Sequence, residues 1–274
     1  MKPSFDIRSS ITDTAEASLF IEISLHGMAY LILNGADCMA LSTYHFPAGS
    51  SGDDTAIFLK DIVSQQRLLQ QGFRKVNIIY AYPMQVLVPH AYFKDELKKD
   101  MLELLDGDVQ DVVIKNDFMY RHQLHNIYSV PRQVDSTIDY LFSADCSTHE
   151  YSLLPDVLKE EGNHLYCIFN SSYFTVMLLK EGTLQVIQSF DYKTPEDVAY
   201  YLLQLCESFD VLPGDIIIHL NGMIDASSNL YNELNKYFLH LQFEKLPDSY
   251  IYPEAFRDYP KHFFSHLFAL ALCV

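Results

Sequence analysis

The sequence contains no tryptophan, and its 274 residues include 10 glycines and 19 lysines and arginines against 36 aspartates and glutamates. The shortage of cations gives a formal charge of -17, which repels a phosphodiester backbone, so binding of nucleic acid would need a segregated basic patch. None is present. The densest basic stretch, residues 94–99, is interrupted by Asp95 and Glu96 and reads as a solvated helix face. A basic protein partner suits this charge better. The cysteines, Cys38, Cys146, Cys167, Cys206 and Cys273, are odd in number and widely spaced. With no CxxC pair and no short Cys/His spacing, they read as buried free thiols rather than zinc ligands. The longest apolar stretch, residues 263–274, is too short to span a bilayer, and residues 1–10 lack an apolar signal core. A cytoplasmic chain is expected. Also missing are a GxxxxGK[ST] loop, a GxGxxG turn, a GxSxG elbow and an HExxH helix, so none of the sequence-local catalytic signatures is available.

What is present reads as one pattern written twice. Residues 18–25, 28–33 and 38–46 alternate like three strands joined by tight turns, one of them Asn34-Gly35. Residues 165–170, 173–180 and 184–192 repeat the meander, with Glu181-Gly182 at the second turn. A helix follows each meander. Residues 53–71 open on acidic cap residues, and Thr194-Pro195-Glu196-Asp197 supplies a cap, a first-turn proline and early negative charge. Each helix leads to an apolar strand, 76–81 or 215–220, suited to the middle of a sheet, and so to a parallel crossover. Further helices at 93–98 and 230–235 precede strands at 109–115 and 239–246. Between the repeats lie an expected strand at 125–130 and helices at 131–142 and 153–161.

Three strands followed by alternating helix and strand is the order of the ribonuclease-H-like unit. The expected fold class is α/β, with one such half over 1–150 and a second over 151–274. Two in tandem resemble the actin-like ATPase superfamily, and within it the assembly-platform proteins of bacterial pili and secretion systems. Particular phrases are similar to an uncharacterised bacterial family, domain of unknown function 3822. They are Leu87-Val88-Pro89, Asn126-Ile127-Tyr128-Ser129-Val130-Pro131, and the tail Lys261-His262-Phe263-Phe264-Ser265-His266-Leu267-Phe268-Ala269-Leu270. These phrases are structural rather than chemical.

The resemblance implies where a nucleotide would sit: between the halves, held by two hairpin turns of Asp-x-Gly character and by a Gly-Gly turn facing adenosine. The first turn here, Glu22-Ile23-Ser24-Leu25-His26-Gly27, keeps Glu22, Ser24 and Gly27 but lacks the aspartate and its following glycine. The second, around Asn170 and Ser171, has neither carboxylate nor glycine. Phosphate would meet side chains instead of bare amides, and magnesium would lack a placed carboxylate. The third, Asn221-Gly222-Met223, keeps one glycine of two. Gly222 is read first as a residue that satisfies a strand-to-helix turn with positive φ, and second as a residual nucleotide contact. These six residues are the expected vestigial nucleotide cleft. No cofactor is expected, ATP being the alternative.

Other chemistries find less support. A nuclease needs several acids converging on metal ions, yet residues 76–81 contain none. His262 and His266, spaced i, i+4, could share a helix face as metal ligands, but no third ligand accompanies them, and packing beside the tail's aromatics is the plainer account. His26 reads as a turn histidine. Tyr250, Tyr252 and Tyr259, in a long Pro-containing loop over 247–260, could contact a partner or pack back on their own domain. The expected function is a non-catalytic actin-like scaffold or protein-interaction protein with a degenerate nucleotide site. The alternative is an ATP-binding or phosphotransfer enzyme with an unorthodox site.

Overall fold

A computed structural model describes residues 1–10, 13–107, 110–157 and 161–274. The chain divides into two compact units, one comprising Met1–Leu153, Asp248–Phe256 and Val274, the other Leu154–Pro247 and Arg257–Cys273.

In the first unit, β1 (Phe5–Arg8), β2 (Ser18–Ser24), β3 (Gly27–Asn34) and β4 (Asp37–His45) precede α1 (Gly52–Gln65) and β5 (Lys75–Ala81). There follow β6 (Gln85–Pro89), α2 (Lys98–Asp106), β7 (Val112–Met119), β8 (Leu124–Pro131), α3 (Arg132–Leu141), β9 (Cys146–His149) and the first half of α4 (Glu150–Val157), whose residues from Leu154 belong to the second unit. The main sheet has the order β1-β4-β3-β2-β5-β9, antiparallel through the meander and parallel across β2, β5 and β9. One face carries Leu19, Ile21, Ile23, Ile78 and Tyr80 into a core with Leu59 and Ile62 of α1 and Val134 and Ile138 of α3.

In the second unit, β10 (His164–Phe169), β11 (Tyr173–Lys180) and β12 (Thr183–Asp191) precede α5 (Pro195–Ser208), β13 (Ile217–Gly222), α6 (Asn229–Leu234), β14 (His240–Phe243) and α7 (Ser265–Ala271). The sheet order is β12-β11-β10-β13-β14, with β10, β13 and β14 parallel.

The two units use one local grammar. Ser51 caps α1 and Thr194 caps α5, each through a capping box closed by an aspartate at the third helical position, Asp54 or Asp197. Counted from the cap, buried residues fall at the same five places in both helices: Thr55, Ala56, Leu59, Ile62 and Val63 in α1, and Val198, Ala199, Leu202, Leu205 and Cys206 in α5. That spacing is one helical stripe facing one sheet. Both second hairpins also break register near the turn, at Ile32/Leu33 and at Leu178/Leu179.

The middle of the first unit departs from the expected alternation. The strand read at 109–115, whose first residue lies outside the described residues, is not the next strand of the main sheet. Instead β7 and β8 form a hairpin, and β6 joins them in a separate antiparallel sheet of order β6-β8-β7. Its small core joins Val88 of β6 and Ile127 of β8 to Leu102 of α2. The parallel part of the main sheet is completed by β9, only four residues long. The helix read at 93–98 is a 3-10 turn at Asp95–Leu97 running into α2. The helix read at 153–161 is α4, which starts earlier; residues 158–160 lie outside the described residues.

Candidate functional site

The first turn sits between β2 and β3 and is closed on itself. Ser24 Oγ accepts the His26 amide at 3.1 Å and donates toward the Gly27 carbonyl at 3.4 Å, while the His26 carbonyl accepts the Phe46 amide at 2.8 Å. Gly27 is required for packing: a Cβ there would lie 2.2 Å from the Tyr44 carbonyl oxygen of the neighbouring strand. His26 is exposed at the tip.

Glu22 precedes this turn on β2, opposite Ala29 of β3 and Ile79 of β5. Burial pushes its carboxyl up to about 7. Glu150, the first residue of α4 and itself buried, is raised well above the carboxylate range by burial and by the nearby charge of Glu22. Two like charges brought together out of water cannot both ionise cheaply. Asn77 is 1% exposed, and among the described residues neither end of its amide has a hydrogen-bond partner. It lies opposite Phe20 and so on the same sheet face as Glu22. Beside Glu150, His149 is fully buried and lowered to about 4 by burial. Its Nε2 donates to the Tyr82 carbonyl at 2.9 Å and its Nδ1 accepts the Tyr151 amide at 3.1 Å, a satisfied neutral ring.

In the second unit, the turn after β10 is likewise engaged by its own chain. The Asn170 amide donates to the Tyr173 carbonyl, and the Asn170 carbonyl accepts the Tyr192 hydroxyl at 2.6 Å. Ser171 is exposed. Gly222 ends β13 opposite Phe169, with φ of 76°. A Cβ there would lie 2.2 Å from the Phe169 carbonyl oxygen, so both the left-handed backbone and the close approach require glycine. Its neighbours are held by the tail. Asn221 Oδ1 accepts the Ser265 hydroxyl at 2.6 Å and the Tyr166 hydroxyl at 3.3 Å, and the Ile224 carbonyl accepts His262 Nε2 at 2.6 Å.

The structure thus gathers Glu22, Ser24 and Gly27 around one turn of the first unit, and Asn170, Ser171 and Gly222 at the strand ends of the second. His262 and His266 do not share an α-helix: His262 belongs to a 3-10 turn at Lys261–Phe263, and His266 lies half-buried on α7. Among the described residues no group of three or more His, Cys, Asp or Glu could hold a metal ion. Tyr250 and Tyr252 pack edge to face, Tyr252 also against Phe256, and Ile251 pairs with Asp37, so that part of the loop lies on the first unit. Glu150 and His149 are the residues sequence reasoning missed. The only signal was a polar pair at the end of a short strand.

Superposition on solved structures shows the actin-like ATPase fold. A Bacteroides thetaiotaomicron protein described as having an actin-like ATPase fold and unknown function superposes with a TM-score of 0.74 at 17% identity, over 86% of this chain and 93% of that one. The PilM-PilN type IV pilus biogenesis complex gives 0.62 at 11% identity, over 95% and 98%. Ethanolamine utilization protein EutJ from Carboxydothermus hydrogenoformans gives 0.55 at 8% identity, over 98% and 93%. No curated protein matches the sequence. The family described as "Protein of unknown function (DUF3822)" matches residues 6–241, and the chain belongs to it. Among the described residues no helix is long and apolar enough to cross a membrane.

Proposed function

We propose that this protein is a non-catalytic actin-like scaffold, cytoplasmic, that binds a protein partner and carries a degenerate nucleotide site. The observation that carries the reading is the closure of the turn at Gly222. Asn221 and Ile224 are bonded to Ser265 and His262 of the chain's own tail, and Gly222 itself is pressed on the Phe169 carbonyl. Glycines at this turn and at Gly27 thus have a packing reason that calls for no ligand. The first turn adds a second obstacle, since Ser24 Oγ takes the amide of His26 that a phosphate would use, and Glu22 and Glu150 stand nearby as acids. The PilM-PilN complex, of the same fold, is an assembly between proteins, and a partner-binding role is carried over from it by analogy of fold. The net charge favours a basic partner over nucleic acid.

One observation favours the alternative, an ATP-binding or phosphotransfer enzyme. Glu22, raised to about 7, is poised to exchange a proton near neutrality. An ATPase assay with magnesium separates the two. The scaffold reading predicts phosphate release at the rate of the buffer alone. Turnover in the wild type that Glu22→Gln abolishes would establish the enzyme instead.

A further inference from the structure

On the sheet of the second unit, four polar groups form a hydrogen-bonded chain that belongs to none of the turns above. Glu244 Oε1 lies 2.6 Å from His219 Nδ1, His219 Nε2 lies 2.9 Å from His164 Nδ1, and His164 Nε2 lies 3.0 Å from the Glu161 carbonyl oxygen. The parallel register produces this order. His164 lies opposite Ile217 and Tyr166 opposite His219, so the two imidazoles are diagonal neighbours on one face, and the chain leaving β14 brings Glu244 beside them. Both rings are 2% exposed, whereas the Glu244 side chain is 30% exposed and gives the chain an outlet to water.

Both ends of this chain are acceptors. A carbonyl cannot donate, so His164 Nε2 must carry a hydrogen. An ionised Glu244 cannot donate, so His219 Nδ1 must carry one, and the link between the rings needs a third. Two neutral imidazoles carry only two. We propose that Glu161, His164, His219 and Glu244 form a proton-binding site. It holds one proton more than two neutral rings and an ionised carboxylate would, and its release as pH rises weakens the β10-β13-β14 sheet. With Glu244 ionised, the extra proton makes one ring an imidazolium facing the carboxylate. If Glu244 takes it, the donor direction reverses along the chain and the count of three is unchanged. Without it, one link sets lone pair against lone pair in a buried site.

Among the described residues, the other titratable groups on this face do not replace the proton. Tyr166 on β10 donates to Asn221, and burial, with the charge of Glu244, pushes its phenol far up. From the α7 side, His266 is lowered to about 4 by burial, and the Cys273 thiol donates to the Ala269 carbonyl. His240, opposite Ile217 on edge strand β14, is exposed.

The sign of the effect follows from proton counts. Unfolded, with a histidine near ~6.5 and a glutamate near ~4.3, the same set holds two such protons above about pH 7 and four below about pH 6. The native chain holds three. Stability contributed here therefore falls as pH rises above about 7, with the folding constant dropping up to roughly tenfold per pH unit until the native site releases its proton.

Glu244→Gln isolates the effect, because its carboxamide can donate to His219 Nδ1 and orient both rings to complete all three links with no extra proton. Urea unfolding of the full chain is compared between wild type and Glu244→Gln from pH 6 to 9, alongside 15N spectra of the histidine rings and 13C spectra of the glutamate carboxyls. The expected result is a decline of the wild-type constant approaching tenfold per pH unit within pH 7–9, beyond any decline in the variant, and three protons on the chain at pH 7. Parallel profiles, or two neutral rings beside an ionised Glu244 at pH 7, would overturn the proposal. Should Glu244→Gln fail to fold, the wild-type proton count decides alone.

Discussion

Glu22, half-buried on β2, and Glu150, buried at the head of α4, are 128 positions apart in the chain and lie near enough that the charge of the first raises the carboxyl of the second. The pair is costly when ionised, and the folded protein holds protons there that the unfolded chain releases. A carboxyl raised in the folded state contributes most below its unfolded value and loses that contribution as pH rises through the folded one. For Glu22 the window runs from about 4.5 to about 7, equivalent to roughly 3 kcal/mol at most. Glu22→Gln and Glu150→Gln are each expected to narrow the loss of stability between pH 5 and pH 8 by about 1–3 kcal/mol in urea unfolding. Equal effects of the substitutions at both pH values would show that neither carboxyl is raised in the folded state.

Gly222→Ala is expected to cost more than Gly27→Ala. Both place a Cβ 2.2 Å from a carbonyl oxygen, but only Gly222 has a left-handed backbone. Overpacking costs about 1–3 kcal/mol, and positive φ for alanine adds about 1–2. Thermal or urea unfolding of the two variants measures the order, and a near-neutral Gly222→Ala would contradict the packing account. Because Gly222 is structural, bulky variants there report folding rather than nucleotide binding.

The two capping boxes set a matched pair of costs. Ser51→Ala and Thr194→Ala each remove the side-chain acceptor of the third helical amide, and each is expected to cost about 1 kcal/mol. Chemical unfolding of both variants checks this. A null effect at either site would mean that its helix start is held by the sheet contact alone.

His149→Phe removes the imidazole that bonds the Tyr82 carbonyl and the Tyr151 amide in a buried site. A loss of about 2–4 kcal/mol is expected near neutral pH. The wild-type ring is also an acid sensor with the opposite sign to the glutamate pair. Lowered to about 4 by burial, it contributes stability above about pH 6.5 that disappears as pH falls toward 4. The difference between wild type and His149→Phe should therefore shrink in acid, as read from unfolding at pH 7 and pH 4.5.

The second unit was readable because its determinants are local. Thr194 and Asp197 announce α5, Glu181-Gly182 turns with positive φ at both residues, and the apolar run ending at Leu220 is a central strand. The first unit hid two things. β9 is four residues of mixed polarity, Cys146 to His149, with no periodicity to detect, and β6 ends on Pro89, which reads as a strand end rather than as a member of a separate sheet. The polar sites were hidden for another reason. Whether Glu150 is solvated or comes near Glu22, and whether His164 meets His219, depends on how segments far apart in the chain are brought side by side. Residue spacing carries no record of that. Gly27 and Gly222 were legible as turn glycines, but their packing against Tyr44 and Phe169 came only from the strands beside them.

The most direct measurement is a thermal-shift titration of the intact protein with ATP and ADP, each with and without magnesium. A ligand held by the native state at a hundred times its dissociation constant adds about 2.7 kcal/mol and must raise the midpoint. A scaffold whose turns are closed by Ser24, Asn221 and Gly222 shows no shift at millimolar nucleotide; a saturable, magnesium-dependent rise would mean that the protein binds nucleotide and that the degenerate-site account is wrong.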